Sequence, residues 1–449
     1  MDHRKSLVRL AVPNYVALLS GVLTGIVDVA WVARLGPAPV AAVAVATGVE
    51  NALLGIVLLI NGGVTVRLAA AHGTGDRLAA RSVIRAGWSL YALITPLVVA
   101  AGLALRQPLA GAFLDDPAAA RLAAGYLTVL FPGVAIFYAQ QVVDAIFAGR
   151  GDTRTPMRLA LVANTLILVI DPLLIYGTGP LPALGVTGAA LATVLGRIAA
   201  LLTGLFLLRR SGRSPGPGRG GAVGAVLRTG APIAGDFLVR MSGSLALLAV
   251  VGHSGVAAVA AYGIGLKVLY FATMAFYAIR NAATIHAPRT LAVHPEQRPA
   301  IGRQVLALAL LTGAAASALF ALLAPLIMRG FTGDHEVVAV GVLFLRCVGG
   351  YLTPIAAVIA VAGFLMAAGR GPALFAVTVA GTATQTALAW WLPTRLNLPG
   401  VWLAMSLAAV LQLALVLWLA QPLPATRGRP QPGVDTSPPG KDRRASPRR

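Results

Sequence analysis

The chain of 449 residues is 57% hydrophobic and 11% charged, with a formal net charge of +21 and a mean hydropathy of +0.80. A soluble domain carries about 25% charged residues, so the composition excludes an ordinary water-soluble protein. The single cysteine, Cys347, excludes an intrachain disulfide, and no Cys/His spacing marks a zinc site.

Apolar stretches long enough to cross ~30 Å of hydrocarbon recur along nearly the whole chain. Twelve membrane helices are predicted. The first, 8–33, holds Asp28 as the lone acid of the apolar stretch 21–36. A carboxylate near mid-bilayer costs at least ~2.5–3.5 kcal/mol, and its usual tasks are ion coupling or proton relay. The plain alternative is an acid hydrogen-bonded to a neighbouring helix. This helix has no signal-peptide cleavage pattern and is expected to remain in the mature protein. The second helix, 40–65, carries Glu50 and Asn51, which face a cavity or, for Glu50, pair with another helix. The third spans 84–105. The fourth, 121–147, carries Gln140, Gln141 and Asp144. Gln140 and Asp144 stand four apart and share a face, fit for a cavity or for an interhelical hydrogen bond. The fifth, 157–177, contains Asp171 followed directly by Pro172, so an acid and a bend coincide. Pro13, Pro132 and Pro354 also fall inside predicted helices. The sixth spans 185–208.

The stretch 209–222 is basic and rich in Gly and Pro, a linker between two sets of six helices. The predicted units are an N-terminal six-helix lobe over 1–208, a cytoplasmic linker over 209–225, a C-terminal six-helix lobe over 226–420 and a disordered basic tail over 421–449. The seventh helix, 226–252, carries Asp236 and Arg240, four apart and able to pair. They form a self-neutralised structural pair or a charged cavity wall. The remaining helices are 257–286, with Lys267 and Arg280, then 303–327, 337–367 with Arg346, 372–393 and 399–420. The segment 286–294, HAPRTLAVH, has no metal-ligand spacing. No GxxxxGK[ST] phosphate loop occurs, so nothing suggests ATP hydrolysis. An enzyme is not expected.

The charge orients the protein rather than recruiting nucleic acid. Of 36 Lys and Arg, 26 lie in alternate loops and at the two ends, the positive-inside pattern with both termini cytoplasmic. The tail after Gln421 is Pro-, Arg- and Ser-rich, a composition of disordered segments.

The halves repeat. VAAVAVATG at 40–48 matches VAAVAAYGI at 256–264, AGRG recurs at 148–151 and 368–371, and GAALA at 188–192 echoes GVWLA at 400–404. Three matches in one order at nearly one spacing indicate an internal repeat. With six helices each, both halves start on the same side of the membrane. Such parallel repeats suit a site between two lobes that rock. On this alignment Asp28 faces Ser244, and Asn51 faces Lys267. The first lobe holds Asp28, Glu50, Asp144 and Asp171; the second holds Asp236 against Arg240, Lys267, Arg280 and Arg346. The first interior is acidic and the second basic.

Several segments resemble the multidrug and toxic compound extrusion (MATE) transporters. FAGRGDTRTPM at 147–157 resembles that family's loop between helices four and five, and VDVAWVARLGPAPVAAV at 27–43 its first helix and turn. The segment 69–87 resembles its second-to-third helix loop, and 164–177 and 185–193 its fifth and sixth helices. The resemblance implies a twelve-helix, all-α membrane protein that exports small organic compounds by antiport with protons or sodium. It further implies no cofactor beyond the coupling ion, a monomer, and residence in the cytoplasmic membrane of a bacterium. Its DinF-like branch places coupling acids on helices one and five. By that likeness Asp28 and Asp171 are the coupling pair, with Asn164 and Thr193 as partners. A second family Asn, four residues before the helix-five acid, is Ile167 here. One oxygen ligand is therefore absent, and proton coupling is expected over sodium. The expected cavity residues are Glu50, Asn51, Gln140, Asp144, Asp236, Arg240 and Lys267. The alternatives are sodium-coupled antiport, a lipid-precursor flippase of the same superfamily, and a scaffold that transports nothing.

Overall fold

The computed structural model describes residues 3–177, 182–210 and 222–421. Among these the chain is helical with no strand. The first lobe comprises α1 (His3–Ala33), α2 (Pro37–Gly73), α3 (Arg77–Phe113), α4 (Pro117–Gly149), α5 (Arg154–Tyr176) and α6 (Val186–Arg210). The second comprises α7 (Ala222–Gly252), α8 (Val256–Leu291), α9 (Arg298–Phe331), α10 (His335–Cys347), α11 (Gly349–Ala367), α12 (Gly371–Trp391), the short α13 (Pro393–Leu396) and α14 (Leu398–Ala420). Twelve spans are long and apolar enough to cross a membrane.

Local chemistry sets the ends. Asp76 caps α3 by accepting from the Ala79 N–H at 2.9 Å, and Asp116 caps α4 through Ala118 and Ala119. Both acids satisfy N–H groups that a helix start leaves unpaired. The tight turns into α2 and α8 pass through Gly36 at φ 110° and Gly255 at φ 98°, a backbone region that only glycine enters freely.

Four expectations need correction. The predicted helix 337–367 is broken at Val348, where two glycines follow, and Pro354 lacks the N–H that would bond the Gly350 carbonyl. The predicted helix 372–393 ends at Trp391 and is followed by the separate turn α13, because Pro393 interrupts it. Helices α3 and α9 run several residues past both predicted ends. Their Arg-bearing termini continue as helix beyond the apolar core. The expected linker 209–225 is shorter, since α6 reaches Arg210 and α7 begins at Ala222. Its centre, 211–221, and the expected disordered tail, 422–449, lie outside the described residues.

Each lobe has its own interior. In the second lobe α11 is the central helix, buried from Pro354 to Met366. Beside it Tyr262, Phe344 and Trp402 pack ring to ring, with centroids 4.5–5.6 Å apart. Large side chains such as Leu322, 79% exposed, and Leu326, 70% exposed, cover the outside. A bilayer gives such surface its apolar solvent.

The two lobes meet from the end where α1 and α7 begin to about the middle of α2 and α7, where a Cβ on Gly55 would stand 2.8 Å from the Leu238 side chain. There α2 crosses α7 at glycine contacts: a Cβ on Gly230 would overlap the Leu59 carbonyl, and one on Gly63 the Val226 carbonyl. Leu7, Leu10 and Leu58 join the apolar core of the second lobe, while Val226 joins Ile60 and Val64 of the first. His3 on α1 contacts His286 on α8 at 3.1 Å. At the far end, the cluster of Val32, Ala42, Val43, Tyr126, Ile175 and Val186 is drawn from α1–α6 alone. The lobes are thus shut against each other at the end bearing the lobe starts, while the apolar cluster at the other end stays within the first lobe.

Candidate functional site

The first lobe brings together the acids that stand far apart in sequence. Helices α1 and α5 are joined along a seam. Asn164 donates to the Ser20 hydroxyl at 2.8 Å, and the Tyr176 hydroxyl donates to the Trp31 carbonyl at 2.6 Å. Between these two ties, Asp28 and Asp171 are close enough to interact electrostatically across the seam. Asp171 is fully buried, and neither of its oxygens receives a hydrogen bond from a protein donor. The Asp28 Oδ1 is likewise buried and without a donor. Two carboxylates cannot hydrogen-bond unless one carries a proton, because an ionised carboxylate only accepts. A proton shared by two such acids would be a property of the pair rather than of either residue.

Glu50 and Arg197 flank this pair. Arg197 on α6 donates to Glu50 on α2 at 2.6 Å, with both side chains roughly three-quarters buried. The guanidinium also lies 4.4 Å from the centre of the Phe137 ring, a cation–π arrangement. Of the two alternatives for Glu50, pairing with another helix is the one observed. Tyr126 on α4 is buried in the same electrostatic neighbourhood, interacting with Glu50, Asp28, Arg197 and Asp171. Arg197 and Tyr126 were not among the expected site residues. An Arg within a helix of an otherwise acidic lobe was the available signal for Arg197. Tyr126 offered none.

The other expected coupling partners lie apart. Asn164 stands two helical turns from Asp171, about 10 Å along the axis at 1.5 Å per residue, and its amide is committed to Ser20. Thr193 is half-buried and hydrogen-bonded to neither acid. Ile167 is 5% exposed and packs where a side chain on Gly196 would stand. The missing ligand position is therefore an apolar α5–α6 contact.

Among the expected cavity residues, Asn51 is half-buried and makes no hydrogen bond. Gln140 is buried, whereas the adjacent Gln141 accepts from Asn61 at 2.9 Å. Asp144 keeps its Oδ1 buried without a donor, and no hydrogen bond links it to Gln140. Lys267 is exposed midway along α8 and has no ion pair among the described residues.

The second lobe departs most from expectation. Asp236 is fully buried and does not line a cavity. It accepts from Arg240 at 3.2 Å, from Arg280 at 2.9 Å and from the Thr378 hydroxyl at 2.7 Å. One carboxylate thus binds α7, α8 and α12 together. Arg280, one of the four bases counted in the second lobe, is 6% exposed and also lies 3.4 Å from the Met366 sulfur. The cause is the acid 44 residues away, which gives the guanidinium a partner inside the lobe. Two guanidiniums share this one carboxylate, and the Arg240 Nη2 is buried without a partner.

The chain was compared with known proteins. The MatE family model matches residues 13–173 and 232–391, one segment in each lobe. A probable multidrug resistance protein NorM of Thermotoga maritima is 28% identical over 355 residues, covering 77% of this chain and 76% of the relative. An FAD transporter of Shewanella oneidensis is 25% identical over 202 residues, 45% of each chain. Among solved structures, a MOP superfamily transporter from Pyrococcus furiosus superposes with a TM-score of 0.86 at 22% identity, covering 93% of this chain and 95% of the other. That likeness concerns the fold.

Proposed function

The chain belongs to the MatE family, and from that premise we propose that it is a proton-coupled antiporter exporting organic compounds by alternating access. It is a membrane transporter, not an enzyme. The observation that carries proton coupling is the buried Asp171, both oxygens lacking a donor, beside Asp28. The positive-inside charge pattern supports placing both termini in the cytoplasm of a bacterium, with the protein acting as a monomer. On that orientation the shut end is cytoplasmic and the open cleft faces outward. A proton arriving from outside bridges the two acids, removes their mutual repulsion and lets α1 and α5 close on each other as substrate leaves. Its release inside restores repulsion between the acids and readies the lobe for another substrate. Sodium coupling is the competing reading, and Ile167 against Gly196 argues against it.

The substrate class follows from the second lobe. Its interior holds two guanidiniums on one carboxylate, with an unpartnered Arg240 Nη2, and Lys267 is exposed on α8 with no ion pair among the described residues. Buried unpaired donors are costly, and an Arg binds carboxylate or phosphate in bidentate fashion. The FAD transporter among the relatives takes a compound that bears a pyrophosphate. Some substrates are therefore proposed to carry a negative group. In cells stripped of other exporters, the protein is expected to lower accumulation of both ethidium and anionic dyes. Arg240→Ala or Lys267→Ala should weaken export of the anions more than that of ethidium. Equal loss for both classes would reduce the basic lobe to a matter of packing, and no export of either would refute the transporter reading.

A further inference from the structure

The shut end of the cleft holds a cavity of about 580 Å³ that the transport cycle above does not use. Both lobes build its wall. Ser6, Arg9 and His72 come from the first; His286, Arg289 and His294 come from the second. No Asp or Glu lines it among the described residues. Glu296 lies outside the lining and meets the His294 Nδ1 at 3.1 Å. Neither Arg9 nor Arg289 forms an ion pair with a described residue. The Arg289 guanidinium reaches across the lobe boundary: a Cβ on Gly151, in the α4–α5 turn, would stand 2.6 Å from its Nη1. His286 is in turn held against His3 of the first lobe. Like charges gathered in one cavity repel, and Arg9 and Arg289 meet there without an ion pair to a described residue.

We propose that this cavity is a binding site for a phosphate-type oxyanion, bridging Arg9 of one lobe and Arg289 of the other. Two guanidiniums supply planar pairs of donors matched to phosphate oxygens. The Ser6 hydroxyl adds a further donor. Because the wall comes from both lobes, a bound anion ties them together. Opening this end would pull the ligands apart. Occupancy therefore acts as a clamp on the outward-open arrangement. The clamp rests on the alternating-access reading, whereas the binding itself does not. The same chemistry is presented by free phosphate and by the headgroup of an anionic lipid in the adjacent leaflet.

The test uses the full chain, purified in detergent, with radiolabelled orthophosphate in equilibrium dialysis. A second arm places it in nanodiscs of phosphatidylcholine with or without phosphatidylglycerol. Spin labels on the exposed positions Leu78→Cys and Arg303→Cys, in a Cys347→Ser background, report the distance between lobes at this end. One orthophosphate should bind per chain, and Arg9→Gln or Arg289→Gln should weaken it at least ~10-fold, the loss of one charge-assisted contact. Both side chains are exposed, and unchanged elution of each variant confirms its folding. Ligand should shift the distance toward the short, closed population. If orthophosphate fails but phosphatidylglycerol gives that shift, and the Arg variants abolish it, the ligand is the lipid headgroup and the site stands. If neither anion acts, or if both variants bind as the parent does, the site is refuted. Binding without a change in distance refutes the clamp, and if ethidium export persists the transporter reading is untouched.

Discussion

Asn in place of Asp28 or Asp171 is expected to abolish resistance and return drug accumulation to that of cells lacking the protein, with expression and folding intact. The two substitutions keep side-chain volume, so packing along the α1–α5 seam is preserved. What changes is the proton. An Asn amide is a permanent donor: at position 171 it would supply Asp28 with the hydrogen bond that only a protonated acid supplies in the parent. Such a variant resembles the protonated pair at every pH and cannot release a proton to reset. Neither acid should be replaceable singly, because the shared proton belongs to both. Folding should not suffer, since no protein donor is lost at Asp171. Drug efflux at the parent's rate from either single variant, measured with matched expression, would remove the pair from the coupling step.

The largest effect on stability is expected at Asp236→Asn. The carboxylate is fully buried and serves Arg240, Arg280 and Thr378 from three helices. Removing one partner of a buried ionic cluster leaves uncompensated charge and costs about 3–5 kcal/mol. Here two guanidiniums would be stranded together. The thermal midpoint in detergent should fall sharply, and much of the protein should be lost as aggregate. Adding Arg280→Met should recover part of the loss by removing one stranded cation. Thr378→Val deletes a single hydrogen bond and should cost only about 1–2 kcal/mol. An unchanged midpoint in Asp236→Asn would mean that the cluster does not hold α7, α8 and α12 together.

Much of the architecture could be read from apolar runs alone, since a span of hydrocarbon imposes its length directly on the chain. The breaks at Val348 and Pro393 escaped that reading, because the apolar run continues through them. Asp28 was legible as a charge in the wrong solvent. Its relation to Asp171, 143 residues on, rested on family resemblance, and folding places the two side by side. Arg197 shows the limit. Its partner, Glu50, lies on a helix four further back in the chain, and no local pattern says that α2 and α6 face each other there. Arg280 is similar: its acid, Asp236, stands on another helix, 44 residues back in the chain. Which end of the cleft is shut cannot be read from sequence at all, because no local pattern records which helix ends touch across the lobes. It is visible only in contacts such as Gly230 against Leu59.

Proton coupling through the Asp28–Asp171 pair is tested most directly by transport in vesicles reconstituted with purified protein, with proton and sodium gradients imposed separately. The account predicts that a pH gradient alone drives substrate movement, that a sodium gradient at constant pH drives none, and that Asp171→Asn abolishes the response. Substrate movement that follows the sodium gradient at constant pH, or that persists under a pH gradient in Asp171→Asn, would contradict it.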